Sequence, residues 1–286
     1  MQTILEQVNI RVLNVGYART THRWGGTDLS SPFARLYYAK AGSACLHLPG
    51  KEIEVKPGYM YLVPSFMPHS YVCEPGFEFY YLFVYERYGE QSGVLEMYEM
   101  PIEVKANEQT DLLFENYCHL YPQLSLPYSS AEDFNAHPAY RDYAIRYKQM
   151  LPYEKMQLQG LVWIITSYFM KHAHLRVTHT DERIIRAMTF VKKNLHRVIT
   201  LDELSAATCS SKANLGKIFN KVFGISPMHY VMQCRIQYAQ MLLMTTEQSV
   251  QEVAKAVGCS DVSYFIRIFK RQLGFTPQEY REQLKY

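Results

Sequence analysis

The sequence lacks several features that would define its class at once. None of its six cysteines stands in a Cys-x-x-Cys pair, so we expect neither a disulfide frame nor a zinc site but reduced thiols in a cytoplasm. No apolar run reaches the roughly 18 residues needed to cross a bilayer. The N-terminus has no basic stretch followed by an apolar one, so neither membrane contact nor a secretory signal is expected. With 48% hydrophobic and 20% charged residues, the 286-residue chain has the composition of a globular protein of one to three domains.

The net charge of +3 conceals an uneven distribution. Residues 1–175 contain 14 Lys and Arg against 18 Asp and Glu, which gives −4, whereas residues 176–286 contain 16 against 9, which gives +7. A basic C-terminal third favours a polyanionic partner, although the same excess also occurs in proteins that bind nothing acidic.

A stretch of about fifty residues near the C-terminus occurs twice. Leu201 to Leu204 is echoed 49 positions on by Val250 to Val253. Four further residues, Phe219, Gly224, Pro227 and Tyr230, are echoed 50 positions on by Phe269, Gly274, Pro277 and Tyr280. A repeat of this length indicates a duplicated supersecondary unit, and two copies exclude a long solenoid.

Each copy is predicted to be a helix-turn-helix. Thr200 with Glu203, and Ser249 with Glu252, have the spacing of capping boxes that begin a short helix. The second turn contains Gly258, which such a turn favours, whereas the first is predicted to place Thr208 there. The four predicted helices cover 201–208, 211–223, 250–257 and 261–273. A helix over 227–244, roughly 27 Å long, would join the two units.

The second helix of each unit has polar and basic residues on its predicted exposed face. Such side chains can neutralise phosphates and contact base edges in a major groove. A solvated surface is the alternative for any single charge. The residues are Lys212, Asn214, Lys217 and Lys221 in the first unit and Ser263, Arg267, Lys270 and Arg271 in the second.

These motifs carry a family resemblance. With the run Val253 to Phe265, then Phe269-Lys270 and Gly274 to Arg281, residues 181–284 resemble the DNA-binding domain of AraC/XylS transcription regulators. The resemblance implies an all-α domain of seven helices that binds double-stranded promoter DNA, with RNA polymerase and a second copy of the chain as partners. Carried over by position, the groove-facing residues are Ala213, Asn214, Gly216, Lys217, Val262, Ser263, Ile266 and Arg267.

The N-terminal part is predicted to be an antiparallel β structure followed by helices. Short strands at 34–40, 44–48, 52–55, 59–63 and 79–85, separated by Pro/Gly turns, favour a small barrel or jelly roll. The spacing of Pro57-Gly58, Pro64 and Pro68-His69 resembles the cupin-like barrel in which AraC-like regulators bind effectors. From about 107 to 175 the pattern becomes helical. The predicted fold is thus α+β with two domains, 1–175 and 181–286, joined by a linker at 173–180.

The resemblance to sugar-sensing relatives implies an effector site for a small molecule, plausibly a sugar. Alternating tyrosines in this region are equally compatible with core packing, and His69 with a hydrogen-bonded turn. The expected effector-binding residues are Arg35, Tyr37, Lys40, His69, Tyr71, Tyr81 and Phe83.

The barrel also allows two other functions. His47 and His69 provide two metal ligands at best, whereas a catalytic site needs three, so no metal, cofactor or catalytic residue is expected. A cupin enzyme with an accessory DNA-binding domain therefore ranks below a regulator, and a barrel that only dimerises is the nearer alternative. A helix over 154–172, with Met156, Leu158 and Phe169 on its apolar face, would either pack onto the barrel or form a dimer.

Overall fold

The computed structural model describes residues 10–86, 94–126, 140–175 and 182–283. They form two compact units, one of residues 10–86 and 100–173 and one of residues 94–99 and 174–282. The first is rich in strands and the second in helices, which confirms the predicted two-domain α+β class. No helix in these ranges is both long enough and apolar enough to cross a membrane.

The strand-rich unit is built from two antiparallel sheets. Five strands form one sheet in the order β1-β8-β3-β6-β10, and four form the other in the order β2-β7-β4-β5. The strands are β1 (Ile10–Arg19), β2 (Trp24–Leu29), β3 (Ala34–Ala41), β4 (Ala44–Leu48), β5 (Lys51–Val55), β6 (Tyr59–Val63), β7 (His69–Cys73), β8 (Glu78–Glu86) and β10 (Glu103–Lys105). A short α1 (Val94–Met97) leads into β9 (Tyr98–Glu99), which pairs with β11 (His174–Leu175); all three belong to the helix-rich unit.

The five predicted strands are confirmed, but six further strands of the described residues were not predicted: β1, β2, β7, β9, β10 and β11. β1, β2 and β7 lie outside every predicted strand, and β7 begins at the residue that was predicted to stand in a turn, His69. Glycines at 25 and 26 obscure the strand pattern of β2. Gly25 is required there because a Cβ would overlap the carbonyl oxygen of Tyr71 on the paired strand β7.

Three helices accompany the sheets in the predicted helical region. They are α2 (Thr110–Leu120), α3 (Tyr140–Gln149) and α4 (Pro152–Met170). The ring of Phe114 from α2 stacks on Tyr80 of β8 and Tyr38 of β3, at centroid distances of 5.5 and 6.0 Å. One face of α4 is buried through Leu158, Leu161, Val162, Ile165 and Phe169.

Met156 is the exception to the predicted apolar face of α4. Its side chain is 74% exposed, together with Tyr153, Trp163 and Ile164. Met156 and Trp163 are seven residues apart, so they lie on the same stripe, opposite the buried one. Met156 therefore does not share the buried face of Leu158 and Phe169, because apolar residues occur on both faces of this helix.

Residues 182–283 form the seven helices that the resemblance implied. They are α5 (Glu182–Asn194), α6 (Leu201–Ala207), α7 (Lys212–Phe223), α8 (Pro227–Thr245), α9 (Val250–Ala256), α10 (Val262–Leu273) and α11 (Pro277–Gln283). Both predicted capping boxes form: Thr200 Oγ1 accepts from the amide of Glu203, and Ser249 Oγ accepts from that of Glu252. Gly224 and Gly274 end α7 and α10 in the left-handed region, at φ 70° and 83°.

Two separate cores hold the helices together, and α8 contributes to both. Its first half adds Tyr230, Val231 and Cys234 to a core with α5, α6 and α7. Its second half adds Ile236, Ala239, Leu242 and Leu243 to a core with α9 and α10. The duplication is visible in the packing: Phe219 meets Tyr230, and Phe269 meets Tyr280, each edge to face at 5.5 Å.

Candidate nucleic-acid interface and ligand cavity

The first helix-turn-helix consists of α6, a turn and α7. Thr208 is the C-cap of α6 and keeps a right-handed backbone at φ −100°, whereas the left-handed residue of the turn is Cys209, at φ 51°. The prediction that Thr208 replaces the turn glycine was therefore off by one position. Ser211 begins α7 by accepting from the amide of Asn214.

The second helix-turn-helix consists of α9, a turn and α10. Gly258 takes the left-handed position at φ 73°, 49 residues after Cys209. A Cβ at Gly258 would lie 2.7 Å from the carbonyl oxygen of Arg197 and closer still to that of Leu195. Glycine is thus required both for the backbone angle and for the close approach of the chain after α5.

Arg197, in the segment after α5, contacts both helix-turn-helix units. Its guanidinium forms an ion pair with Glu203 of the first capping box at 2.6 Å. Its carbonyl accepts a hydrogen bond of 2.7 Å from the buried Arg235 on α8. Because the same carbonyl touches Gly258, one residue contacts both units and the helix between them.

The predicted groove-facing residues are not equally exposed. Val262 and Ile266 are half-buried and pack against the second core, and Asn214 and Gly216 are also half-buried. The exposed members are Lys212, Ala213, Lys217 and Lys221 on α7 and Ser263, Arg267, Lys270 and Arg271 on α10. Each second helix therefore presents an exposed basic face.

Most of these cations have no carboxylate partner in the described part of the chain. Lys212 forms an ion pair with Asp202 at 2.6 Å. Arg267 lies over the ring of Tyr264 at 5.5 Å, which orients its guanidinium without neutralising it. Lys217, Lys221 and Arg271 form no ion pair with a described residue.

An interval of fifty residues aligns the two basic faces. Lys217 corresponds to Arg267 and Lys221 to Arg271, so each helix has cations at the same two positions. The residue before the first cation differs most, because Gly216 corresponds to Ile266. A Cβ at Gly216 would have no neighbour within 4 Å. At this position α7 therefore has no side chain, whereas α10 has the large side chain of Ile266.

The strand-rich unit encloses an apolar cavity between its two sheets. The space of about 50 Å³ is several times what one buried water molecule occupies. Its walls are almost entirely apolar and include the rings of five aromatic residues besides Tyr37. The lining residues are Trp24, Tyr37, Ala44, Cys45, Leu46, Val55, Tyr61, Tyr71, Cys73, Phe77 and Phe79.

The structure brings two of the seven predicted effector residues, Tyr37 and Tyr71, to this cavity. Lys40 instead forms an ion pair with Asp111 of α2 at 3.1 Å. Tyr81 and Phe83 are buried in the packing of β8, where Tyr81 Oη accepts from the amide of Leu126. Trp24 and Phe79 were not among the predicted effector residues, because the face of a sheet to which a side chain points depends on strand pairs that were not predicted.

Arg35 and His69 form a buried polar group beside Tyr37. Arg35 donates to Ser31 Oγ at 2.8 Å, and its guanidinium lies 5.3 Å from the rings of Phe33 and Phe83. His69 Nδ1 is 3.0 Å from the carbonyl oxygen of Met67, and Nε2 has no hydrogen-bond partner among the described residues. Burial, and then the charge of Arg35, lower the pKa of His69 to about 4, so the imidazole is neutral at pH 7.

Comparison with known proteins assigns the helical region. A family model described as "Helix-turn-helix domain" matches residues 204–283. Transcriptional activator NphR from Rhodococcus is 34% identical over 106 residues, which is 37% of this chain and 31% of NphR. The MmsAB operon regulatory protein from Pseudomonas aeruginosa is 31% identical over 96 residues, 34% of this chain and 31% of that protein. The chain spans about a third of the length of these relatives.

A solved structure extends the likeness in fold to both units. Apo ToxT from Vibrio cholerae has a TM-score of 0.51 and covers 97% of this chain and 98% of its own, at 13% identity. Fold and site together define a domain with two helix-turn-helix units. The C-terminal region of this chain is a helix-turn-helix domain, as the repeat had indicated, and it is similar in sequence to regulators of the AraC/XylS family.

Proposed function

We propose that this chain is a sequence-specific, DNA-binding transcription regulator controlled by a small-molecule effector, and not an enzyme. The observation that carries the proposal is the duplicated helix-turn-helix, in which each second helix presents exposed cations at the same two positions. The relatives support it by their names, since NphR and the MmsAB protein are regulators. AdaA from Bacillus subtilis, 30% identical over 96 residues, combines activation with DNA repair, so regulation need not exclude enzymatic activity in a relative.

The helix α8 sets how the two units meet the DNA. Its 19 residues span about 28 Å. Since one turn of the double helix is about 34 Å, two second helices held by this strut suit successive major grooves on one face. Lys217, Lys221 and Arg271 would neutralise phosphates, while Arg267 would read a guanine, to which its guanidinium can donate two hydrogen bonds.

Selection of bound sequences from a random DNA library by the purified chain tests this proposal. We expect enrichment of a motif with two short conserved blocks, and binding that weakens steeply with salt because phosphate contacts release counterions. Recovery of random sequences, or binding that does not depend on salt, would contradict it.

For the effector, we propose a small and mainly apolar molecule held in the cavity between the sheets. The aromatic walls support this ligand class, because the hydroxyl groups of a sugar would be buried against apolar side chains without hydrogen-bond partners, which is unfavourable. A sugar remains the second candidate because aromatic rings such as those of Trp24 and Tyr71 can stack on its faces. One relative is named for a sugar operon, the lactose operon transcription activator from Staphylococcus xylosus, which is 27% identical over 43% of this chain.

Trp24 provides a direct readout of cavity binding. The chain has two tryptophans, and the other, Trp163, is exposed on α4. In a Trp163→Phe variant, a ligand that enters the cavity should change the emission of Trp24 and raise the melting temperature. A matched variant with Ala44→Leu, which fills the cavity from β4, should lose the response. An unchanged response after filling would place the ligand elsewhere.

We further propose a homodimer that contacts RNA polymerase in the cytoplasm. The exposed stripe of Tyr153, Met156, Trp163 and Ile164 on α4 supports a dimer. Light scattering should show that the Met156→Glu variant is a monomer and the parent a dimer. If both proteins are dimers, this stripe of α4 is not the dimer interface. Effector binding would then alter dimer or domain geometry, and so change how four second helices fit an operator.

A further inference from the structure

The hairpin of β4 and β5 places three different metal-ligating side chains on one face. Cys45 and His47 are two residues apart on β4, so they point to the same side. Glu52 on β5 is the direct cross-strand partner of His47 and therefore shares that side. Leu46 and Ile53, on the opposite side, are buried. The three ligands thus lie on the outer face of the four-stranded sheet.

The ligand atoms are already close together. Cys45 Sγ donates to Glu52 Oε1 at 3.2 Å, and His47 Nδ1 is 3.8 Å from Glu52 Oε2. One atom from each residue falls within 4.8 Å of the other two. Around a tetrahedral zinc ion, with bonds of about 2.0–2.3 Å, neighbouring ligand atoms are roughly 3.5 Å apart. Small rotamer adjustments would therefore bring the three donors to bonding distance.

From this geometry we propose that Cys45, His47 and Glu52 bind a zinc-type divalent transition metal. Thiolate and imidazole donors favour Zn²⁺, Co²⁺ or Ni²⁺ over Mg²⁺ and Ca²⁺, which take oxygen ligands. Three protein ligands leave a fourth position for water or another ligand. The thiolate and carboxylate together neutralise the ion, so the site matches a divalent charge.

The position of the site suggests what the metal would do. Cys45 stands between Ala44 and Leu46, and all three residues border the cavity. A metal on the outer face would hold β4 against β5 and so stiffen one wall of the cavity. The site is distinct from Arg35 and His69, and it does not place a metal inside the cavity. Its role would be structural or regulatory.

Cobalt provides the sharpest test, because thiolate coordination gives a charge-transfer absorption in the near ultraviolet. The full chain is prepared without a histidine tag, reduced and freed of metal, and titrated with Co²⁺ and then with Zn²⁺. We expect one equivalent of Co²⁺ with the thiolate band, its displacement by Zn²⁺, and a higher melting temperature with Zn²⁺.

Three variants localise the binding. Cys45→Ser should abolish the thiolate band, and His47→Gln should weaken binding at least tenfold. Cys209→Ser, which removes an exposed cysteine of the helical region, should bind like the parent. Melting curves without metal should be alike for the parent, Cys45→Ser and His47→Gln, which shows that they fold. Failure to bind at micromolar metal, or equal binding by the parent and Cys45→Ser, would overturn the proposal, whatever the outcome on DNA.

Discussion

The two helix-turn-helix units have the same order of helices, but different residues take the left-handed position of their turns. In the second, Gly258 takes the left-handed position and lets the segment after α5 approach. In the first, Cys209 takes it at φ 51°, a conformation that a side chain makes unfavourable by about 1 kcal/mol or more. The duplicated backbone is thus preserved where the sequence is not, and at Gly258 it also lies against the carbonyl oxygens of the segment after α5.

The largest effect is expected from placing a methyl group in the second turn. Gly258→Ala should lower the free energy of unfolding by about 2–4 kcal/mol, because it combines a strained φ with overlap onto two carbonyl oxygens. Gly216→Ala is the matched control, since that glycine lies within α7 facing open space, and it should stabilise by about 0.5–1 kcal/mol. Denaturant unfolding of both variants measures the two changes in the free energy of unfolding. Equal changes would contradict a special requirement for glycine at position 258.

The next largest effect concerns the corresponding cations of α7 and α10. Arg267→Ala should weaken binding to the selected DNA by about 1–3 kcal/mol and leave binding to random DNA much less affected, because guanine contacts are lost. Lys217→Ala should weaken both by similar factors, as expected of a phosphate contact. Electrophoretic shift with the two DNAs gives the ratios. If Arg267→Ala weakens binding to the selected and to the random DNA equally, Arg267 contacts phosphate, and the two helix-turn-helix units bind DNA in the same way.

A smaller gain is expected from giving the first turn the residue of the second. Cys209→Gly should raise the free energy of unfolding by about 0.5–1 kcal/mol, because glycine relieves the left-handed strain. Cys209→Ser retains a side chain and should leave stability nearly unchanged. A loss of stability in the glycine variant would show that the Cys209 backbone is unstrained.

The smallest effect distinguishes the two capping boxes. The amide of Thr200, followed by Arg197, lowers the pKa of Glu203, whereas only Ser249 hydrogen bonds lower that of Glu252. A lowered folded pKa gives stability above the unfolded pKa of about 4.3 that is lost as pH falls through the folded value. Glu203→Gln should therefore lower the melting temperature at pH 7 more than Glu252→Gln does. High salt and acid should each reduce the difference, and an identical response would remove any role for Arg197.

Prediction from sequence succeeded where local rules decide the structure. Caps at Thr200 and Ser249 and glycines at 224 and 274 act within one turn of helix, so the helix bounds agree to within a residue or two. The prediction for Thr208 was wrong by one position because the second copy has one residue more than the first, and its side of the turn does not follow from the sequence match. The structure places it after Cys209, since Ser211 and Asp261, both N-caps, are 50 residues apart.

The cavity was harder to predict because its walls depend on pairing between distant strands. Trp24 lines the cavity from β2, a strand whose glycines interrupt the alternating pattern. Lys40 forms an ion pair with Asp111 of α2 instead of lining the cavity, and Asp111 is distant from it in the sequence. A bulge between Ala39 and Ala41 also shifts the alternation at the end of β3, so counting by twos fails there.

The most direct test of the account is a footprint of the full chain on a selected DNA site. Hydroxyl-radical cleavage should show two protected segments on one face, about 10 base pairs apart for each bound chain, as expected for two second helices held by α8. Arg267→Ala should open only the segment that α10 covers. Protection of a single segment per chain, or an unchanged pattern with the variant, would contradict a regulator that reads DNA with two unequal units.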